Sequence, residues 1–172
     1  SALTALQQAH PKAATFAFLT DQHFHYNSEH LVRHNLQAID EVAKACRVEF
    51  AAFGGDNIAE NGNGTAALNK VKYFGNILRD YGIRKAVVMG NHDDNSLSGY
   101  QSDTGKYLAE YAVPQDQFYA HMYRDNENVF NIHMDAHRDK LYFYIDLPSQ
   151  QIRFIFLNVI DIPMMDDGTG GL

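Results

Sequence analysis

Three short apolar runs punctuate the first half of the chain, Thr15 to Thr20, Phe50 to Phe53 and Lys85 to Met89, and each stops at a polar cluster. Runs of this length without alternation suit strands covered on both faces. Between them the apolar spacing becomes helical. Val32, Leu36, Ile39, Ala43 and Cys46 line one face of a segment from Ser28, a suitable N-cap, to about Cys46. Leu68, Val71, Phe74 and Leu78 do the same from Thr65 to Tyr81, with Gly82 as the stop. Strand, loop and helix in repeated succession predict an α/β fold with a parallel sheet and right-handed crossovers.

The pattern changes in the second half. A shorter helix is predicted over Thr104 to Ala112. Residues 114–140 are polar, aromatic and irregular, which is long for a plain connection and suits a lid or a substrate loop. Leu141 to Leu147 and Ile152 to Asn158 are aromatic and β-branched runs joined by Pro148 to Gln151, which predicts an antiparallel hairpin of a second sheet. Residues 1–14 read as an arm and 166–172 as a flexible end of one domain spanning 1–172.

Composition narrows the function classes. The net charge is −7, with 21 acidic side chains, so there is no basic field for nonspecific nucleic-acid binding, and metal cations are attracted instead. The single cysteine, Cys46, excludes an intrachain disulfide framework and a multi-thiolate zinc site, and its place on the helical stripe predicts a buried thiol. No apolar run is long enough to span a membrane. The chain reads as cytoplasmic, although a first residue other than Met is compatible with a removed leader.

The polar clusters after the runs contain Asp21 and His23, then Asp56, then Gly90-Asn91-His92-Asp93, and Asp21 to Asp56 and Asp56 to Asn91 are both intervals of 35 positions. No residue-level repeat underlies that interval, which reflects the length of a βαβ unit. Residues i and i+2 at an extended strand end share a face, so Asp21 and His23 can hold one ion together. In open α/β sheets the ligand crevice lies beyond the carboxyl ends of the strands, where Asp56 and Asn91 also fall. Carboxylates, an imidazole and an amide oxygen suit Mn, Fe or Zn, and Asp56, central in the set, is the candidate to bridge two ions.

Asp21-x-His23, Gly55-Asp56 and Gly90-Asn91-His92-Asp93, in this order and spacing, resemble the calcineurin-like metallophosphoesterases. The resemblance implies an αββα sandwich of two mixed sheets. It implies two divalent metal ions, Mn, Fe or Zn, with Asp21 and His23 on the first, Asp56 bridging and Asn91 on the second. His92 becomes the general acid toward the leaving oxygen, with Asp93 orienting or tuning it. The implied reaction is hydrolysis of a phosphate mono- or diester, small or macromolecular, by a metal-bound hydroxide; the alternative is a catalytically idle scaffold of the same family that binds a partner.

Two departures stand out. The family often has an acidic residue three positions after the bridging Asp, where this chain has Ala59, with Asn57 and Glu60 nearby and neither assigned to the metal. The family's later lone His and Gly-His-x-His are absent after residue 137, so the second metal lacks ligands and the chain reads as the N-terminal portion of the sandwich, ending after the first strands of the second sheet.

Other polar residues have plainer readings. His25 suits a substrate contact and a solvent-facing loop equally. His30 and His34 have chelating i,i+4 spacing but lack the Glu of a His-Glu-x-x-His motif, which favours surface positions. His121, His133 and His137 read as surface histidines, and Asp161 as a turn former before Pro163.

Overall fold

The computed structural model describes residues 1–101, 106–124, 132–134 and 140–160. The proposed flexible end at 166–172, Asp161 and His137 lie outside the described residues.

The three apolar runs become strands β1 (Ala17–Leu19), β2 (Ala51–Phe53) and β3 (Lys85–Val87) of a parallel sheet in the order β1-β2-β3. Ala17 pairs with Ala51, and Ala51 with Lys85, so the strands run level and their carboxyl ends reach the same height. The central strand β2 is buried at every position, as its unbroken apolar sequence requires. Helices α2 (Glu29–Ala45) and α3 (Gly64–Arg79) make the two crossovers. The boundaries fall within two residues of those read from the apolar spacing. Ser28 does precede α2, but its hydroxyl bonds the His25 backbone, accepting from N at 3.0 Å and donating to O at 2.9 Å, instead of capping the helix. Asn63 caps α3, its Oδ1 accepting from Ala66 N at 2.8 Å.

Helix α1 (Ala2–Ala9) occupies much of the expected arm. It buries none of its residues and is tied down by polar bonds, with Gln7 Nε2 donating to Thr15 Oγ1 at 3.0 Å and Arg47 N donating to Gln7 Oε1 at 3.1 Å. Ser1 Oγ caps it by accepting from Thr4 N at 3.2 Å, so polar bonds hold it in the absence of fully buried residues. Cys46 ends α2 as a partly exposed residue whose thiol donates to Val42 O at 3.1 Å, not as a buried thiol.

Over the described part of the predicted helix at 104–112, residues 106–112, no α-helix forms. Short strands β4 (Tyr100–Gln101) and β5 (Lys106–Tyr107) pair antiparallel, followed by a 3-10 turn at Ala109–Tyr111. Gly105 inside that segment disfavours helix, and Leu108 N bonds Gly99 O at 2.9 Å instead. Within the expected irregular region, α4 (Gln115–Phe118) runs into a π-helical turn at Tyr119–Tyr123, and β6 (Ile132–Met134) follows.

The predicted hairpin is present as β7 (Phe143–Leu147) and β8 (Ile152–Phe156), and β6 adds to it to give an antiparallel sheet ordered β6-β7-β8. Phe143, Ile145 and Leu147 point inward in alternation. The two sheets meet through aromatic rings: Phe154 lies 5.2 Å from Phe16 and 5.1 Å from Phe50, both edge-on. On the other face of the parallel sheet, Phe74 of α3 packs against Phe53 and Phe24. Among the described residues the layers are thus helix, parallel sheet and antiparallel sheet. Two mixed sheets were expected; over the described residues the first is parallel and the second antiparallel. Ile155 and Leu157 on the outer side of the second sheet are 68% and 64% exposed, with no helix over them among the described residues.

Candidate functional site

The loops after β1 and β2 run side by side beyond the sheet, with Asp21 N, His23 N and Phe24 N donating to the carbonyls of Gly55, Asp56 and Asn57 at 3.1, 2.9 and 2.9 Å. This pairing fixes where the polar side chains emerge. Asp21, His23 and Asp56 have φ angles of 55°, 40° and 50°, a left-handed conformation that costs a non-glycine residue of order 1 kcal/mol and is concentrated at functional sites. Gly55 beside them has φ 107°, and a Cβ there would press on the Gly90 backbone. A Cβ on Gly90 would in turn overlap the Asp56 carboxylate and main-chain nitrogen. The two glycines let the second and third loops approach closely enough to share a site.

Three side chains converge there. Ligand atoms of His23, Asp56 and His92 all lie within 4.8 Å of one another. The His23 and His92 rings meet edge to face at 4.7 Å between centroids, and His92 Nε2 lies 3.9 Å from Asp56 Oδ2. Asp21 Oδ1 is 3.8 Å from His23 Nε2, so a second carboxylate adjoins the trio. These separations exceed hydrogen bonds but suit donors arranged around an ion that binds nitrogen and oxygen at about 2.0 to 2.2 Å. The His23 imidazole with the Asp21 and Asp56 carboxylates is a donor set suited to a divalent transition metal, with His92 adjoining it, and by position and chemistry the residues fit one. Asn91, the remaining expected ligand, is exposed in the turn between Gly90 and His92.

His92 is oriented on three sides. Its main-chain N–H donates to Asp56 Oδ1 at 3.2 Å, Nε2 faces the trio, and Nδ1 meets Glu60 Oε1 at 2.8 Å, an ion-pair contact that falls short of hydrogen-bond alignment. Burial alone would lower the His92 pKa, but Glu60, Asp56 and Asp93 outweigh it and the pKa is raised. Glu60 is the residue that sequence reasoning left unassigned; it lies four positions after Asp56, one beyond the place where an acidic residue was sought.

Asp93 faces away from His92. It is buried, and its carboxylate accepts from Gly90 N at 2.8 Å, Ile58 N at 2.8 Å and Asn57 Nδ2 at 3.0 Å. Burial pushes its pKa up to about 7 against the opposing effect of these three donors. Asp93 therefore straps the loop after β3 to the loop after β2 and reaches His92 through its charge alone. Asp94 caps the following 3-10 turn through Ser96 N at 2.9 Å, and Asn95 Oδ1 accepts from Asn61 N at 2.6 Å.

Among the described side chains, no other histidine joins the trio. His25, His30 and His34 are exposed, and His121 lies in the π-helical turn, where its carbonyl accepts from Arg79 Nη2 at 3.2 Å. The backbone of His133 belongs to β6.

The sequence profile of the calcineurin-like phosphoesterase family matches residues 14–164, nearly the whole chain, and the chain belongs to that family. Its members are generally hydrolases of phosphate esters and usually bind divalent metal ions. No curated protein sequence matches the chain significantly.

Proposed function

We propose that the protein hydrolyses a phosphate mono- or diester at a dinuclear metal centre built on the loops after β1, β2 and β3. The observation that carries this reading is the convergence of His23, Asp56 and His92 beside Asp21, in a chain of this family. Asp21 and His23 would hold one ion, Asp56 would bridge and Asn91 would serve the second. Bound divalent ions supply charge neutralisation of the phosphoryl oxygens and acidify water for in-line attack. Mn, Fe and Zn all suit the donor set.

The protein's own contribution to the chemistry centres on His92. Glu60 occupies the Nδ1 side, so Nε2 is the nitrogen turned toward the reacting group, and the Glu60 carboxylate favours the protonated ring against burial, which opposes it. A protonated imidazole placed there gives its Nε2 proton to the leaving oxygen as the ester bond breaks. Asp93 and the paired loops hold the constellation without touching substrate. The proposed reaction is direct hydrolysis, with no covalent phosphoenzyme and no Ser or Cys nucleophile.

The test is turnover. Metal-stripped protein supplied with Mn(II) is assayed on aryl phosphate mono- and diesters; the reading requires metal-dependent hydrolysis that Asp56→Ala and His92→Ala abolish. Metal binding without turnover on any ester would support the idle scaffold, and covalent phosphate retained on denatured protein after a single turnover would exclude direct hydrolysis.

A further inference from the structure

The loop after β2 is fixed at almost every residue. The Asn57 amide bonds Val88 O and Asp93, Ile58 N bonds Asp93, Ala59 N bonds Phe24 O at 3.3 Å, and Asn61 N bonds Asn95. The carbonyls of Ala59 and Glu60 are bound by a side chain from a different element: Lys70 of α3, whose ammonium donates to them at 2.8 and 3.3 Å. Lys70 is 2% exposed. Lysine is almost never buried to this degree without a paired carboxylate, because removing an ammonium from water costs several kcal/mol. A methionine would fill the same space without that cost.

The position of Lys70 explains what the cost supports. It does not approach the trio of His23, Asp56 and His92; it grips the main chain of the one residue, Glu60, whose carboxylate contacts Nδ1 of His92. We propose that Lys70 is a positioning residue for His92, acting through Glu60: its two bonds set the backbone at 59–60 so that the Glu60 carboxylate stands against the imidazole, and its buried charge keeps that carboxylate near. Burial lowers the Lys70 pKa while the charge of Glu60 raises it, which is the electrostatic coupling this arrangement requires. The inference rests on the phosphoester-hydrolase reading for its effect on catalysis, but the geometric claim about His92 is independent of it.

Two measurements on the full chain separate these claims. With Mn(II) bound, kcat is compared for 4-nitrophenyl phosphate, whose leaving group hardly needs a proton, and phenyl phosphate, whose leaving group does. Lys70→Met is expected to lower kcat for phenyl phosphate about tenfold more than for 4-nitrophenyl phosphate, with KM and metal content unchanged. A general loosening of the fold would slow both substrates alike, and that result overturns the proposal. The second readout is the 15N resonance of His92 Nδ1 at fixed pH in metal-free protein, assigned by its loss in His92→Gln. It is expected to shift in Lys70→Met and to return toward the wild-type position in Lys70→Arg; an unmoved resonance overturns the proposal even if no ester is turned over. Absence of turnover by the wild-type protein counts against the hydrolase reading alone. Should Lys70→Met fail to fold, Lys70→Gln, which retains a donor but not the charge, takes its place in both measurements.

Discussion

Glu60 Oε1 stands 2.8 Å from Nδ1 of His92, and this contact decides which edge of the imidazole faces the converging ligands. Replacing the carboxylate by the neutral amide in Glu60→Gln removes the main influence raising the His92 pKa, while the opposing effect of burial remains. The His92 pKa is therefore expected to fall, read by NMR titration of the ring in metal-free protein. If His92 is the proton donor, the alkaline limb of the kcat profile moves to lower pH in the same variant, because the acid form is lost earlier. An unchanged His92 titration would remove Glu60 from the account.

Gly90→Ala tests the close approach of the two loops. The added methyl would collide with the Asp56 carboxylate and nitrogen, so either Asp56 or the loop after β3 must move. The expected outcome is loss of at least tenfold in divalent-metal affinity by calorimetry, with a smaller change in secondary structure by circular dichroism. Ala at Gly82, where a Cβ meets nothing within 4 Å, is the control and should leave metal affinity as it is.

Asp93→Ala leaves Gly90 N, Ile58 N and Asn57 Nδ2 without their acceptor in a buried place. Each orphaned donor costs about 1 to 3 kcal/mol, partly offset because the buried carboxylate is itself unfavourable, so a net loss of roughly 3 kcal/mol is expected in urea denaturation. A change under about 0.5 kcal/mol would show that the strap contributes nothing to stability.

Lys85 carries a pH signature remote from the site. It is 6% exposed, burial lowers its pKa from the ordinary 10.5 to about 8, and the charges of Asp40 and Asp80 oppose that fall. A depressed lysine pKa means the charged form is disfavoured in the folded state. The penalty is fully present below pH 8 and is relieved as the pH rises toward 10.5, since the unfolded chain then binds the extra proton. Lys85→Met is accordingly expected to be more stable than wild type by about 1 to 3 kcal/mol at pH 7, with the difference shrinking between pH 8 and 10. A difference that stays constant across that range would contradict it.

The parallel sheet was legible in the sequence because three short apolar runs, separated by two helical stripes, admit few other folds. The clustering of His23, Asp56 and His92 beside Asp21 was legible because each residue follows one of those runs within a few positions. Glu60 was not, because its reach toward His92 depends on the left-handed turn at Asp56 and the Lys70 clamp on the loop, neither of which leaves a pattern in residue spacing. Asp93 was read as orienting or tuning its neighbour His92; its carboxylate is taken by the loop before it, and it acts on His92 through its charge, which helps raise the His92 pKa. Strand β6 escaped notice for the same kind of reason: Ile132 to Met134 is three residues long and forms a strand by pairing with β7.

The central claim, a divalent metal site at Asp21, His23 and Asp56 beside His92, is tested most directly by Mn(II) binding followed by electron paramagnetic resonance in metal-free protein. The account predicts saturable loss of the free Mn(II) signal in wild type, imidazole nitrogen coupling to the bound ion that disappears in His23→Ala, and binding weakened at least a hundredfold in Asp56→Ala. Equal affinity in wild type and Asp56→Ala, with no nitrogen coupling, would contradict it.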